Sequence, residues 1–168
     1  MDYTVDMQRA IALAEKGLGK TAPNPIVGAV IIDSTGSIIA EGFHDRMKSP
    51  DHAEVVAIKA AGDKTKGSTI VVTLEPCNHI GSTAPCVQAI IDAGITTVVF
   101  AVSDPNKEAA GGAAALRAAG ITVIEGVLKD EAAFSNRAWL MKIGKNRPFF
   151  TWKVAATLDG KVAAADGT

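Results

Sequence analysis

The sequence has few cysteines, histidines and aromatic residues, and no long apolar run. Its 168 residues include two cysteines and three histidines, and aromatic residues make up 5%. Two cysteines are too few for a disulfide-stapled secreted domain, so we expect a reducing, cytoplasmic environment. The apolar runs, such as residues 26–32, have the length of a strand and cannot span a bilayer. The formal net charge of −1 also argues against nucleic-acid and membrane partners.

Hydrophobic periodicity and turn residues predict the order α-β-β-α-β-α-β-α-β-α. The predicted helices are residues 6–18, 51–61, 85–93, 113–119 and 130–143, and the predicted strands are 26–32, 37–43, 69–74, 97–102 and 121–124. The first two strands flank a short turn and should form a hairpin, whereas helices separate the later strands and require parallel pairing. We therefore expect an α/β fold, a three-layer α/β/α sandwich around a mixed five-stranded sheet.

A change of composition near residues 144–148 predicts a domain boundary. Residues 149–154 have the pattern of a new strand, but no further strand remains in the chain to pair with it. We expect residues 1–147 to form one domain and residues 148–168 to open a second, truncated one.

Both cysteines and all three histidines fall between positions 44 and 86, which indicates a site. The segment contains His52-Ala53-Glu54, then Pro76-Cys77, then Pro85-Cys86. Three nitrogen and sulfur ligands leave a tetrahedral zinc ion with one open position, which is typical of catalytic zinc. Zinc makes a water molecule in that position a nucleophile near neutral pH. We predict that His52, Cys77 and Cys86 bind zinc.

The predicted elements bring these residues to one edge of the sheet. His52 and Cys86 begin predicted helices and Cys77 follows a strand, and helix starts meet strand ends at the ligand-binding edge of parallel sheets. His52 and Glu54 are only two residues apart, so both can face one metal only if it lies over the helix end. Glu54 would then carry protons between the attacking water, the substrate and the leaving amine. Zinc-dependent nucleobase deaminases carry H-x-E with P-C-x-x-C, and here eight residues separate the cysteines, so the match is to a variant.

Each residue also has an ordinary structural interpretation. His52 alone would more often be an exposed or hydrogen-bonded histidine, and the cysteines could be inert core residues. Glu54 could complete a capping box with Asp51. The three residue types together at one edge of the sheet favour a zinc site.

These motifs resemble the pyrimidine deaminase domain of the bifunctional riboflavin-biosynthesis deaminase/reductases, and the resemblance covers the whole chain. The shared motifs are Pro23-Asn24-Pro25-x-Val27-Gly28, Gly42-x-His44, His52-Ala53-Glu54, Thr73-Leu74-Glu75-Pro76-Cys77-x-His79-x-Gly81, Pro85-Cys86 and Asp104-Pro105-Asn106. The eight-residue cysteine spacing is itself typical of the family. The resemblance implies a cytidine deaminase-like fold, with His52, Cys77 and Cys86 as zinc ligands and Glu54 as the catalytic proton carrier.

The resemblance also implies the substrate and its contacts. The expected substrate is a small molecule, a ribosylaminopyrimidine 5′-phosphate, which is converted to the corresponding aminouracil with release of ammonia. The residues expected to line the substrate site are Asn24, His44, His79, Asp104 and Asn106. We also expect a homo-oligomer.

The segment Thr151–Lys161 resembles the first strand of the family's dihydrofolate reductase-like, NADPH-dependent domain. The resemblance suggests Ala156 as a cofactor contact. A single strand cannot build an NADPH site, so reductase activity would require more chain than these residues.

One position departs from the family pattern. Ser82 replaces a lysine or arginine that is expected to meet the substrate phosphate, and a hydroxyl donates a hydrogen bond without charge. We expect weaker phosphate binding, or compensation by Arg46, Lys48 or Lys107.

Two other functions remain open. The first is deamination of another free base or nucleoside, although the neutral charge disfavours a tRNA substrate. The second is a non-catalytic zinc module joined to a reductase. Glu54 argues against that module, because a structural zinc site does not need a proton carrier.

Overall fold

The structure, a computed structural model, describes residues 1–80, 83–106, 108–163 and 167. The helices are α1 (Thr4–Glu15), α2 (Ala53–Ala61), α3 (Cys86–Asp92), α4 (Gly112–Ala118), α5 (Lys129–Ser135) and α6 (Arg137–Lys145), with a 3₁₀ turn at Gly62–Thr65. The strands are β1 (Gly28–Ile32), β2 (Ile38–Phe43), β3 (Thr69–Leu74), β4 (Thr97–Val102) and β5 (Thr122–Glu125).

The five strands form one mixed sheet in the order β2-β1-β3-β4-β5. Strand β1 pairs antiparallel with β2 and β3, while β3, β4 and β5 run parallel. Helices α1 and α5 contact each other on one face, and α2, α3 and α4 form a contiguous layer on the other. The predicted hairpin, parallel strands and three-layer α/β/α sandwich are confirmed.

The core lies along the central strands, which helices cover on both faces. Every residue of β1 is buried, as are all but the first residues of β3 and β4. Ile31, Ile70 and Phe100 are among its largest fully buried side chains. Strands buried on both faces form continuous apolar runs, which is why these runs were recognisable in the sequence.

A glycine lets the start of α2 approach the sheet closely. A Cβ atom on Gly42 of β2 would lie 2.3 Å from the carbonyl oxygen of Ala53. That distance is shorter than any real Cβ contact, so only glycine fits there. The missing side chain brings the helix end that carries His52 and Glu54 down onto the sheet.

The predicted helix 130–143 is wrong in one respect, because it is two helices that meet at Asn136. The side chain of Asn136 binds the backbone of Ile26. Its Oδ1 accepts the Ile26 N–H at 3.1 Å and its Nδ2 donates to the Ile26 carbonyl at 2.6 Å. This tertiary contact fixes the junction between α5 and α6, and local periodicity does not reveal it.

The predicted strand at residues 149–154 is not formed. The described residues 146–163 contain no helix or strand. A strand needs a neighbour for its backbone hydrogen bonds, and β5 and β2 already end the sheet without recruiting this segment. The second domain at 148–168 therefore stays a prediction.

Among the helices of the described part of the chain, none combines the length and apolar character needed to cross a membrane.

Candidate metal centre and catalytic pocket

Three elements bring the predicted metal ligands together. His52 is the N-cap residue of α2, in an extended backbone conformation, and Cys86 is the first residue of α3, directly after Pro85. Cys77 lies three residues beyond the end of β3. Helices α2 and α3 contact each other, so both helix starts reach the carboxyl end of β3.

The ligand atoms have the spacing that zinc requires. His52 Nδ1 lies 3.6 Å from Cys77 Sγ and 3.3 Å from Cys86 Sγ. All three ligand atoms lie within 4.8 Å of one another. With Zn–S near 2.3 Å and Zn–N near 2.0 Å, neighbouring ligands of a tetrahedral zinc are about 3.5 Å apart. The donor set and its geometry therefore fit zinc.

The two thiols are close enough that ionisation of one opposes ionisation of the other. The Cys86 thiol and the His52 ring, together with the Cys86 backbone N–H that donates to Cys77 Sγ at 3.4 Å, lower the pKa of Cys77 to about 4. Hydrogen bonding to Cys77 and burial raise the pKa of Cys86. A thiolate at Cys77 is a ready ligand, and a bound cation would favour the second thiolate.

Glu54 is a buried carboxylate beside this cluster. Its side chain is 4% exposed, and its Oε2 has no hydrogen-bond partner among the described residues. Burial raises the pKa of Glu54, although nearby His52 opposes that effect. The capping-box interpretation is wrong, because His52 is the N-cap residue and the Asp51 carboxylate binds Lys59 Nζ at 2.6 Å. Glu54 is thus available for proton transfer rather than used to cap its helix.

A cavity of about 410 Å³ opens over the cluster. Its lining includes His52, Glu54 and Cys77, and all five predicted substrate residues, Asn24, His44, His79, Asp104 and Asn106. Cys86 belongs to the ligand cluster without lining the cavity. Ala156 lies in the exposed segment after α6 and is not among the lining residues. The predicted residues of the deaminase part therefore converge on one place, and Ala156 does not.

Asn24 and His44 form a hydrogen-bonded pair in the cavity wall. His44 Nδ1 lies 2.8 Å from the Asp51 carbonyl oxygen, and His44 Nε2 lies 3.3 Å from Asn24 Nδ2. A carbonyl only accepts, so Nδ1 carries the hydrogen and Nε2 accepts from the Asn24 amide. Burial lowers the pKa of His44, which favours this neutral ring. The pair leaves the amide oxygen of Asn24 available to a ligand.

A second buried carboxylate holds the loop that carries Asp104 and Asn106. Glu75 Oε2 accepts the Asp104 N–H at 3.1 Å, and Oε1 accepts the Ala113 N–H at 2.9 Å. Asp104 Oδ1 in turn accepts the Asn106 N–H at 2.8 Å. Burial raises the pKa of Asp104. Glu75 lies in a motif recognised in the sequence, but only the structure shows that it supports this loop.

Residues 3–102 match the family model described as the cytidine and deoxycytidylate deaminase zinc-binding region. The match spans more than half of the 168-residue chain. The chain belongs to this deaminase family. The matched segment contains Glu54 and the three ligands His52, Cys77 and Cys86. Zinc, the predicted cofactor of this domain, is confirmed by the family match together with the ligand cluster.

Similar proteins carry the name of a riboflavin biosynthesis protein or of a deaminase/reductase. The riboflavin biosynthesis protein RibD of Mycobacterium tuberculosis is 51% identical over 151 residues, which are 89% of this chain and 44% of the relative. The solved structure of a diaminohydroxyphosphoribosylaminopyrimidine deaminase/5-amino-6-(5-phosphoribosylamino)uracil reductase from Thermotoga maritima has a TM-score of 0.92 and 48% identity. It aligns with 98% of this chain and 48% of its own length. A structure of Acinetobacter baumannii RibD has a TM-score of 0.87 and 44% identity, with 98% and 46% of the two chains aligned.

The resemblance to the bifunctional family and the cytidine deaminase-like fold are thereby confirmed. The chain spans less than half the length of these relatives.

The deaminase pocket has a wall that sequence reasoning missed. Trp139, Lys142 and Ile143 of α6 line the cavity. Their i, i+3, i+4 spacing shows that they share a helix face. It does not show that this face lines the cavity of Glu54, which precedes Trp139 by 85 residues in the sequence. Ser82 and Lys107, the predicted phosphate-related positions, lie outside the described residues.

Proposed function

We propose that this chain catalyses the zinc-dependent hydrolytic deamination of 2,5-diamino-6-ribosylamino-4(3H)-pyrimidinone 5′-phosphate. The products are 5-amino-6-ribosylaminouracil 5′-phosphate and ammonia, in an early step of riboflavin biosynthesis. The observation that carries the proposal is the buried Glu54 carboxylate beside the His52, Cys77 and Cys86 cluster, whose Oε2 has no hydrogen-bond partner among the described residues. The names of similar proteins, a riboflavin biosynthesis protein and a diaminohydroxyphosphoribosylaminopyrimidine deaminase/reductase, support the choice of substrate.

His52, Cys77 and Cys86 hold the zinc, which when bound acts as a Lewis acid and activates water for attack on the ring carbon that carries the amino group. The rest of the chemistry is proton transfer by the protein. The reaction replaces a C–NH₂ bond with a C=O bond, so protons must leave the water and reach the departing nitrogen.

Glu54 carries these protons. Its carboxylate takes a proton from the attacking water and gives it to the ring nitrogen, and it then transfers the second water proton to the amine as the C–N bond breaks. Ammonia is released and the carboxylate is regenerated. Burial raises the pKa of Glu54. It therefore favours the neutral carboxylic acid, the form that Glu54 takes between accepting a proton and donating it.

The polar residues of the cavity position the pyrimidine. The Asn24 amide oxygen is available as an acceptor because its amide nitrogen is engaged with His44. Asp104, Asn106 and His79 face the same cavity and offer further donors and acceptors to the ring and ribose. A mostly preformed cavity with a few converging polar groups is the usual form of a small-molecule site.

The test is ammonia release by the zinc-loaded protein. We expect Glu54→Gln to keep its zinc and lose roughly 100- to 10,000-fold in kcat, the usual contribution of general acid–base catalysis. Glu131→Gln, which alters an exposed carboxylate on α5, is the matched control and should behave as the wild type.

Other outcomes separate the competing functions. Zinc retention with no ammonia from any substrate, in the wild type as in Glu54→Gln, would identify a non-catalytic zinc module. Ammonia from guanine or cytidine but not from the ribosylaminopyrimidine phosphate would replace the proposed substrate.

The same proposal extends to location, assembly and the end of the chain. A cytoplasmic location is supported by the two free, buried cysteines, which zinc binding requires in reduced form. Exposed apolar side chains, including Met47 and Ile80, support a homo-oligomer, which sedimentation would test. The neutral charge supports a role without nucleic acid. Residues 148–168 would begin a reductase domain, as the two-activity name of the Thermotoga maritima relative suggests, and Ala156 would contact NADPH only there.

A further inference from the structure

Helix α6 forms a wall of the catalytic cavity and is anchored at its start. Trp139, Lys142 and Ile143 present one helix face to the cavity. Asn136, the N-cap residue of α6, holds Ile26 by two hydrogen bonds, and Ile26 lies two residues from Asn24, which also lines the cavity. These hydrogen bonds anchor the start of the helix that carries Lys142 to the segment that carries Asn24.

Lys142 places an ammonium group in the lining of this cavity. Among the described lining residues it is the only lysine or arginine, whereas three carboxylates, Glu54, Glu75 and Asp104, also line the cavity. Lys142 forms no salt bridge with any described residue. An ammonium group that lines a small-molecule site and forms no salt bridge with a described carboxylate is available to an anionic group of the ligand.

A second cavity offers the competing cations and is less suited to an anion. Arg46 and Lys48 line a space of about 260 Å³, and the described residues that it shares with the catalytic cavity are Asn24 and His44. The hydrogen-bonded Asn24–His44 pair thus lies between the two spaces. Lys48 is 3.8 Å from Asp45, a residue only 8% exposed whose two carboxylate oxygens have no hydrogen-bond partner among the described residues. Arg46 Nη1 donates to the Ala22 carbonyl oxygen at 3.4 Å, so both cations of the second cavity already have a partner within the protein, whereas Lys142 forms no salt bridge with a described residue.

We propose that Lys142 binds the 5′-phosphate of the substrate and sets the preference for the phosphorylated compound over its nucleoside. The inference rests on the proposed function, since it concerns the substrate of the same site. The phosphate dianion accepts charge-assisted hydrogen bonds from the ammonium group, which acts as a point charge on a flexible stem. A phosphate at the α6 wall leaves the pyrimidine free to reach Glu54 and the ligand cluster.

The experiment compares KM for the ribosylaminopyrimidine 5′-phosphate and for the dephosphorylated nucleoside. In Lys142→Met, KM for the phosphorylated substrate should rise by about 10-fold or more, the size of a lost charge-assisted hydrogen bond. The change for the nucleoside should be much smaller, so the preference for the phosphate collapses. Lys142→Arg should retain most of that preference. Lys145→Met, on the same helix but not lining the cavity, is the control and should match the wild type.

Three kinetic results would overturn the assignment. An unchanged KM for the phosphorylated substrate, or an equal loss on both substrates, would show that Lys142 does not read the phosphate. A loss in Lys48→Met in place of Lys142→Met would move the phosphate to the second cavity. No turnover by the wild type would reject the proposed function instead, and binding of ribose 5-phosphate by the zinc-loaded protein would then decide the role of Lys142. Equal binding by wild type and Lys142→Met would reject that role.

Discussion

Three carboxylates of the described residues, Glu54, Glu75 and Asp104, line the catalytic cavity, and their surroundings are not alike. Glu75 accepts hydrogen bonds from two backbone N–H groups and so stabilises the loop that carries Asp104. Glu54 has one oxygen without a hydrogen-bond partner among the described residues, and burial raises the pKa of both Glu54 and Asp104. Desolvated carboxylates cost stability, and they persist where a reaction uses them. Glu54 and Asp104 thus have the electrostatic character of functional groups, and Glu75 that of a structural one.

The stability cost of a buried, functional carboxylate can be measured at Asp104. Its pKa is raised by burial, so the folded state binds the proton more tightly than the unfolded chain. The contribution of the protonated Asp104 side chain to folding stability is fully present below the ordinary aspartate pKa of about 3.9. It is lost as the pH rises through the raised pKa of Asp104 in the folded protein. At neutral pH the ionised group therefore destabilises the fold. We expect Asp104→Asn to raise Tm at pH 7 and to lower turnover, and the gain in Tm should shrink as the pH falls toward about 4.

The measurement is thermal unfolding of the zinc-loaded protein across pH, with Asp63→Asn as the control at an exposed carboxylate. A lower Tm for Asp104→Asn at pH 7 would contradict the argument. It would mean that the carboxylate is worth more as the acceptor of the Asn106 N–H than it costs through burial.

Residue types with distinctive chemistry could be located from the sequence. His52, Cys77 and Cys86 are rare residues whose joint presence needs an explanation, and Glu54 follows from the reaction they imply. Trp139 and Lys142 could not be located, because each is an ordinary helix residue until tertiary structure places α6 over the cavity. Asn136 was hidden for the same reason, since its function lies in a contact 110 residues distant in sequence.

At the scale of elements, the metal centre depends on how closely helix α2 approaches strand β2. Gly42 makes that approach possible, because any Cβ there would collide with the Ala53 carbonyl oxygen at 2.3 Å. The backbone at Ala53 lies between His52 and Glu54, so a shift of the helix start moves both functional groups. A position that looks like strand interior in sequence thus controls the geometry of the site.

Gly42→Ala should therefore impair stability and zinc binding together. Overpacking of this kind costs about 1–3 kcal/mol, which we expect as a lower free energy of unfolding and a weaker zinc affinity. Gly144→Ala is the matched control, since Gly144 lies in helix α6 with no atom within 4 Å of an added Cβ. Alanine there should stabilise slightly through helix propensity. Normal zinc affinity in Gly42→Ala would show that α2 can shift without disturbing its ligand.

Elements buried on both faces were predicted best. The predicted bounds of the third and fourth strands, 69–74 and 97–102, match β3 and β4, because uninterrupted apolar runs between helices have one plausible position in an α/β sheet. Element ends that depend on tertiary contacts were predicted less well. The break at Asn136 is set by Ile26, and the missing strand at 149–154 by the absence of a neighbour.

For the whole molecule, the decisive feature is the contrast between a closed sandwich and an exposed tail. The sheet ends at β2 and β5, and the core is complete without the residues after α6. Within the described tail, Phe150, Trp152 and Leu158 are 85%, 89% and 111% exposed. Large exposed apolar side chains are typical of surfaces that pack against another domain or protein. This supports the predicted boundary near residue 147 and the proposal that the tail belongs to another domain.

Truncation after Arg147 tests that boundary. The described tail forms no helix or strand and buries little apolar area, so its removal should shift Tm by no more than about 2 °C, the effect of a few tenths of a kcal/mol. Zinc content and any ammonia release should remain, and aggregation should decrease because the exposed aromatic side chains are gone. Thermal unfolding, metal analysis and light scattering of the two proteins would check these expectations. A fall in Tm beyond about 5 °C would place the tail within the deaminase fold, since only lost packing in the folded state could produce it.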